Sequence, residues 1–344
     1  MKVDPIRVIL SLSVWFLFMV AGSGYYIWLW MNTPFSIAKE HRSFTIARGE
    51  SLYGVAYDLR QRNMLRWSRA WVFYARMTDM AAIKAGEYKL SEKESPLSLL
   101  ARFQSGDVKQ YRITLVEGLT FKKFLENLHN HQGVQATLKG KSQKQILQIL
   151  NLDIQHPEGW FFPDTYQFSR DDSDVDILLR AHQRMRQVLD EEWRNRESGL
   201  PLKSPYEALI LASIVEKETG AAIERQQIAG VFVRRLKKKM RLQTDPTIIY
   251  GLGAAYDGNI RKSDLTKHTP YNTYLIKGLP PTPIANPGQH AIHATLNPDT
   301  GKTLYFVAKG DGTHYFSKTF KEHKKAVKKY QLSRKKDYRS SPEP

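Results

Sequence analysis

The residues in this chain best suited to chemistry are two glutamates at the end of an apolar helix. Ser204-Pro205-Tyr206-Glu207 opens that helix, because Ser and Glu at this spacing form a capping box and Pro suits the first helical position. Residues 208–215 (Ala-Leu-Ile-Leu-Ala-Ser-Ile-Val) are apolar on nearly every face, Glu216-Lys217-Glu218-Thr219 follow, and Gly220 is placed to end the helix. A carboxylate in the last turn meets the negative end of the helix dipole and apolar surroundings. Both push its pKa upward, as a general acid working near neutral pH requires. Glu216 and Glu218 lie about 200° apart around the axis, so one cleft cannot readily use both. Glu218 stacks over Leu211, Ile214 and Val215, a larger apolar surface than the Leu209, Ala212 and Ser213 beneath Glu216. The competing reading is a pair of exposed helix-end charges with Lys217 and Arg225 as partners, and spacing alone leaves both readings open.

The elements around this helix begin with a run from Val8 to Met31 that meets no charge between Arg7 and Lys39. About 20 apolar residues span a bilayer, so 8–31 is expected to be a transmembrane helix. Tyr25, Tyr26, Trp28 and Trp30 gather at its far end, where amphipathic rings favour the lipid–water boundary. Lys2 and Arg7 favour a cytoplasmic N-terminus. The small residues Ala21-Gly22-Ser23-Gly24 would suit a cleaved signal, but the apolar stretch continues past them. The chain of 344 residues has no cysteine, which excludes disulfides and thiolate metal sites. Its net charge is +18, with ten Lys or Arg between Lys318 and Arg339 against Glu322 and Asp337. Such a surface suits polyanions, or else a solvated helix face, since Lys321, Lys324, Lys325, Lys328 and Lys329 recur at helical spacing. The aromatics are not interleaved with this basic tail and no nucleic-acid motif occurs, so nucleic acid is not expected as a partner. Asp311, His314 and His323 lack metal-ligand spacing, and neither a metal nor a cofactor is expected.

Residues 32–42, with Pro34, read as a linker. Phe44-Thr45-Ile46-Ala47-Arg48-Gly49-Glu50-Ser51-Leu52 then reads as a strand, a glycine turn and a helix capped by Ser51. The phrase recurs 69 residues later as Ile113-Thr114-Leu115-Val116-Glu117-Gly118-Leu119-Thr120-Phe121. Helical periodicity is expected at 120–130, 142–151, 174–195, 205–219, 223–239 and 319–331. The stretch 243–317, dense in Gly, Pro, Asn and Thr, reads as strands and long loops. The fold class is therefore α+β.

The first copy of the repeated phrase resembles a LysM module, a small carbohydrate-binding unit whose second strand would be Ala85–Leu90. The chain from the anchor to about residue 330 resembles the endolytic murein transglycosylases of the YceG-like family. The resemblance rests on phrases in order: Val116-Glu117-Gly118, Glu158-Gly159-Trp160-Phe161-Phe162-Pro163-Asp164-Thr165-Tyr166, Ala212 to Thr219, Leu242-Gln243-Thr244-Asp245-Pro246-Thr247, Pro270-Tyr271-Asn272-Thr273-Tyr274, Gly278 to Gly288, and His314-Tyr315-Phe316-Ser317. It implies non-hydrolytic cleavage of the β-1,4 bond between N-acetylmuramic acid and N-acetylglucosamine within the strand, leaving a 1,6-anhydro-muramyl end. It also implies that Glu218 is the catalytic acid and then base. Gln243, Asp245, Tyr271, Asn272 and Asn286 become candidates for holding the sugar chain, while Glu158 and Asp164 read as structural.

The expected organisation is a cytoplasmic N-terminus (1–7), a transmembrane helix (8–31), a linker (32–42), a LysM-like domain (43–108), a transglycosylase domain (109–338) and a tail (339–344). The resemblance places the chain as a single-pass protein of the inner membrane with its catalytic domain in the periplasm. Its implied partners are peptidoglycan strands and, through termination of growing strands, peptidoglycan synthases. The alternatives are a non-catalytic LysM-type scaffold that ties wall to membrane, and a hydrolytic muramidase using Glu218 with Asp245.

Overall fold

The computed structural model describes residues 5–170, 172–218 and 220–332. Thr219, the first four residues and the basic tail beyond Leu332, with its expected boundary at 338–339, lie outside the described residues. The chain divides into two compact units, Met1–Tyr111 with Gln167–Asp172, and Arg112–Tyr166 with Ser173–Pro344.

The first unit begins with α1 (Pro5–Asn32). Within it Ile9–Asn32 has a mean hydropathy of 1.5 and is long and apolar enough to cross a membrane, by length and composition. Inside the expected linker, β1 (Phe35–Ser36) forms and Ile37 is buried. Next come β2 (Ser43–Ile46), α2 (Leu52–Gln61), α3 (Ser68–Met77), β3 (Gly86–Lys89), β4 (Lys93–Glu94) and α4 (Pro96–Ser105). The strand pairs are antiparallel, β1 with β4 and β2 with β3, the latter in the register Phe44 to Tyr88. Alternation in Ser43–Ile46 buries Phe44 and Ile46. The Phe44 ring stacks on Phe103 at 5.5 Å, and Tyr88 meets Phe103 edge-on at 4.9 Å. Trp71, fully buried, donates its indole N–H to the Pro96 carbonyl at 2.8 Å.

The repeated phrase folds alike in both places. Gly49 (φ +79°) and Gly118 (φ +74°) take the left-handed turn that glycine permits. Ser51 and Thr120 each cap a helix by accepting from the backbone N–H three residues on.

After β5 (Tyr111–Thr114) come α5 (Phe121–Asn130), α6 (Gln143–Ile149), β6 (Thr165–Phe168), α7 (Asp174–Arg194), α8 (Pro205–Glu218) and α9 (Arg225–Lys237). They match the helical periodicity of the sequence. In the second unit α8 is the central rod: Ala208, Leu209, Leu211, Ala212, Ile214 and Val215 are all fully buried among α7, α9 and later elements.

The stretch 243–317 departs from the expectation of strands and loops. It contains α10 (Asp245–Leu252), α11 (Lys262–Thr266) and α12 (Gln289–Leu296) before the antiparallel pair β7 (Tyr305–Ala308) and β8 (His314–Ser317). These helices have eight residues or fewer and lie among turn-forming residues, so no periodic window reveals them. Yet α12 buries Ala291, Ile292, Ala294 and Leu296 in the core with α8. Helix α13 (Phe320–Tyr330), capped by Thr319, closes the described chain.

Candidate active site

The buried faces of α8 fix its rotation, and that rotation separates the two glutamates of its last turn. Glu216 accepts the backbone N–H of Gly288 at 3.0 Å and so ties down the end of the 278–288 loop. Burial raises its pKa, with the Glu117 charge adding to the effect against the Gly288 hydrogen bond. Glu218 faces instead a cleft of about 690 Å³ that it shares with Arg235, Gln243, Asp245, Tyr274, Tyr305 and His314. That size suits a small-ligand site of about 300–1,000 Å³. Glu218 is crowded by protein atoms yet keeps a partly exposed edge toward the cleft.

Burial pushes the Glu218 carboxyl up to about 7, and the neighbouring Asp245 charge adds to this. A hydrogen bond from Thr244 and the Arg235 guanidinium act in the opposite sense. Burial wins, so near neutral pH the group exists in both protonation states. It is equipped to give a proton and to take one back.

Thr244 precedes α10 and is buried between the exposed Gln243 and Asp245. Gln243 adopts φ +52°, and this kink turns its neighbours. Thr244 presents its hydroxyl to Oε1 of Glu218, while its backbone N–H is held by Thr273 Oγ1 at 3.1 Å. Tyr274 donates to Asp245 Oδ1 at 2.7 Å. Arg235, only 8% exposed, spends Nε on the Leu304 carbonyl (2.7 Å) and Nη1 on that of Leu242 (2.8 Å), and stands 5.0 Å from the Tyr305 ring. On the same cleft wall His314 is clasped by Glu224, which accepts the His314 backbone N–H at 2.9 Å and lies 2.8 Å from Nδ1.

Thr244→Val should lift the alkaline limb of the pH–activity profile by about one unit, because a hydrogen bond to a charged group contributes about 1.5–3 kcal/mol. Thr244→Ser should leave the profile in place. Profiles of kcat/KM for the two variants check this.

Of the five residues expected to hold substrate, the structure brings Gln243 and Asp245 to the cleft and does not bring the other three. Tyr271 packs edge-on against Tyr250 at 4.9 Å and bonds the Thr282 hydroxyl at 2.9 Å. Asn272, 1% exposed, spends its amide on the carbonyls of Asp264, Leu265 and Lys267 and accepts Tyr274 N–H. Asn286, fully buried, bonds the Leu119 carbonyl through Nδ2 and accepts Phe161 N–H through Oδ1. Amides this deeply buried, and bonded to backbone groups of the protein, do not present themselves to a sugar in the cleft. They hold the loops that frame the cleft.

Glu158 also stays inside. It accepts Phe121 N–H at 2.8 Å and the Tyr250 hydroxyl at 3.0 Å, and burial pushes it up to about 7. Thr244, Tyr274, Arg235 and the Glu224–His314 pair were missed from sequence. Thr244 and Tyr274 sit inside the quoted phrases, whereas Arg235 hides in the basic run Arg234–Lys239.

The frame is tight at Gly159, where φ is +83° and an added Cβ would stand 2.6 Å from the Pro283 ring. Gly159→Ala combines a strained backbone with a clash, and should cost about 2–4 kcal/mol. A thermal melt would show it as a fall of several degrees.

A mixed α+β domain thus opens the Glu218 carboxyl, with Asp245 beside it, onto a cleft. Residues 44–329 match the model of the YceG-like family, and the chain belongs to that family. It is 32% identical over 305 residues to a Bacillus subtilis protein named endolytic murein transglycosylase, covering 84% of each chain. A Streptococcus pneumoniae protein of the same name is 26% identical over 328 residues, 84% of this chain but 58% of that one. A crystal structure of a yceG-like protein from Listeria monocytogenes superposes with a TM-score of 0.51 at 28% identity, over 82% of this chain and 98% of that one.

Proposed function

We propose that this chain is an endolytic peptidoglycan lytic transglycosylase with Glu218 as its single catalytic acid and base. The observation that carries the reading is the Glu218 carboxyl, raised to about 7 and opening on the cleft. The name shared by the bacillar and streptococcal relatives supports the substrate.

Protonated Glu218 gives its proton to the glycosidic oxygen as the bond from muramyl C1 to that oxygen breaks. The N-acetylglucosamine fragment leaves with a hydroxyl. The Glu218 carboxylate then takes the proton of the muramyl C6 hydroxyl as its oxygen bonds C1 and closes the 1,6-anhydro ring. One proton is given and one regained, water is not consumed, and the acid is restored. The substrate's acetamido group steadies the oxocarbenium-like carbon between the steps. Ordinary glycosidases need a second carboxylate at about 5–5.5 Å or 6.5–9.5 Å; here the C6 hydroxyl replaces the outside nucleophile. Thr244 stabilises the carboxylate stage, and Gln243 and Asp245 hold sugar hydroxyls.

In the same reading α1 is a single-pass anchor in the inner membrane, with the N-terminus cytoplasmic and the chain after α1 in the periplasm, supported by the length and apolarity of Ile9–Asn32. The domain limits are 43–108 for a LysM-like glycan-binding unit and 109–338 for the catalytic domain. Antiparallel pairing of Ser43–Ile46 with Gly86–Lys89 supports the LysM-like assignment. Cutting nascent strands would set their length and link the enzyme to peptidoglycan synthases. A second reading, a muramidase, draws on Asp245, whose charge reaches Glu218.

Full-length protein in detergent, incubated with purified glycan strands, tests the proposal. Internal fragments bearing 1,6-anhydro-muramyl ends by mass spectrometry are the expected result. Reducing muramyl ends would favour the muramidase, and intact strands would favour a scaffold.

A further inference from the structure

We infer that the first unit lies on the lipid bilayer through the outward face of α3, an inference that rests on the reading of α1 as a membrane anchor. Helix α3 has two apolar faces. Trp71, Val72 and Ala75 point into the unit and are buried. Ala70, Phe73 and Met77 recur at helical spacing on the opposite face, and Phe73 and Met77 are 65% and 71% exposed. A second apolar face on a helix already packed against its core calls for an apolar partner.

The contacts with α1 identify that partner. Trp67, just before α3, sits with its ring 5.5 Å from Tyr26 and 5.1 Å from Trp30. Trp67 and Ala70 line one groove with Met19, Gly22 and Tyr26 of α1. At 1.5 Å per residue, Tyr26 lies about 9 Å inside the Asn32 end of the helix and Trp30 about 3 Å. A span across Ile9–Asn32 therefore sets these two rings at the lipid–water boundary. Lipid that covers these residues also covers what is packed against them, and the start of α3 is packed there. The open N–H groups of the first turn, which no side chain caps, then stay within reach of water and headgroups at the boundary. Arg69 and Arg76, both exposed, flank the apolar face. Their aliphatic stems can lie along lipid while the guanidinium groups reach headgroup phosphates. The unit is thus seated on the membrane surface by α3 as well as tethered by α1.

The chain has no cysteine, so single labels are clean. Full-length Phe73→Cys and Met77→Cys would carry an environment-sensitive fluorophore and be reconstituted in phospholipid vesicles containing nitroxide-labelled lipid. Phe18→Cys, in the span, and Ile223→Cys, on an 86% exposed residue of the other unit, are the references. Labels at 73 and 77 should be quenched toward the level of position 18, with position 223 unaffected. Quenching at 18 with 73 and 77 behaving as 223 would overturn the seating alone, leaving water or another protein to cover that face. A label at 18 that escapes quenching would overturn the anchor reading and the seating together.

Discussion

Glu218→Gln is expected to lower the rate of glycan cleavage by about 10³-fold or more while leaving the fold intact. A positioned acid or base contributes about 10²–10⁴-fold, and here one group serves in both steps. Glutamine keeps the volume and can still accept from Thr244, so loss of activity would report loss of the proton and not of the packing. Glu216→Gln is the matched control on the same helix turn. Its carboxyl holds the Gly288 N–H, which a glutamine oxygen can also accept, so activity should fall by less than about tenfold. Turnover of purified strands by the three proteins, with circular dichroism of each, measures the contrast. Equal activity in wild type and Glu218→Gln would remove Glu218 from the reaction.

The second large effect is on pH. Burial first, and the Asp245 charge after it, raise the Glu218 carboxyl to about 7. The bond-breaking step needs the protonated form, so kcat/KM should fall tenfold per pH unit above about 7. The same shift makes a statement about stability. The folded state holds this proton up to about pH 7, while the unfolded chain releases it near the ordinary carboxyl value of 4.5. Between those values the native state binds more protons, so this group's contribution to stability declines as pH rises from about 4.5 to 7. Glu218→Gln removes that penalty. The variant should be more stable than wild type by about 3 kcal/mol at pH 8 and scarcely different at pH 4. Denaturant melts at both pH values would show a gap that opens with pH; a gap of the opposite sign would mean that the native site prefers the carboxylate. An inactive variant that gains stability is the signature of a site that holds its acid in unfavourable surroundings.

The rod that carries the catalytic candidate was legible because its signals are local. A Ser cap, Pro at the first position, an eight-residue stretch apolar but for Ser213 and two terminal carboxylates lie within fifteen consecutive positions. The strand–glycine–cap–helix phrase was legible for the same reason, in both its copies. The facing surfaces leaned toward Glu218 over Glu216 and the family resemblance implied it, whereas the Gly288 contact of Glu216 is one that no spacing could reveal. Helices α10 and α12 were illegible because each is two turns long and is held by tertiary burial, not by periodicity.

Asn272 and Asn286 were candidates for holding sugar because they lie in the phrases that carry the family resemblance, yet amides serve equally well in binding and in loop locking. Only the burial and the partners of an amide distinguish those uses. Thr244 escaped attention for the converse reason. A threonine between two polar residues looks like a turn former until the fold brings it 26 positions back along the chain, to Glu218. The Glu224–His314 pair joins residues 90 apart, a distance at which sequence spacing carries no information.

The central claim, that one carboxyl cuts the strand without water, is tested most directly by running the reaction of the full-length protein in water enriched in oxygen-18. Released muramyl ends are then weighed by mass spectrometry. The account predicts 1,6-anhydro ends with no heavy oxygen, since the C6 hydroxyl of the substrate supplies the attacking atom. Reducing ends carrying oxygen-18 at C1 would contradict it, because water would then be the nucleophile and Asp245 the residue to examine as its activator.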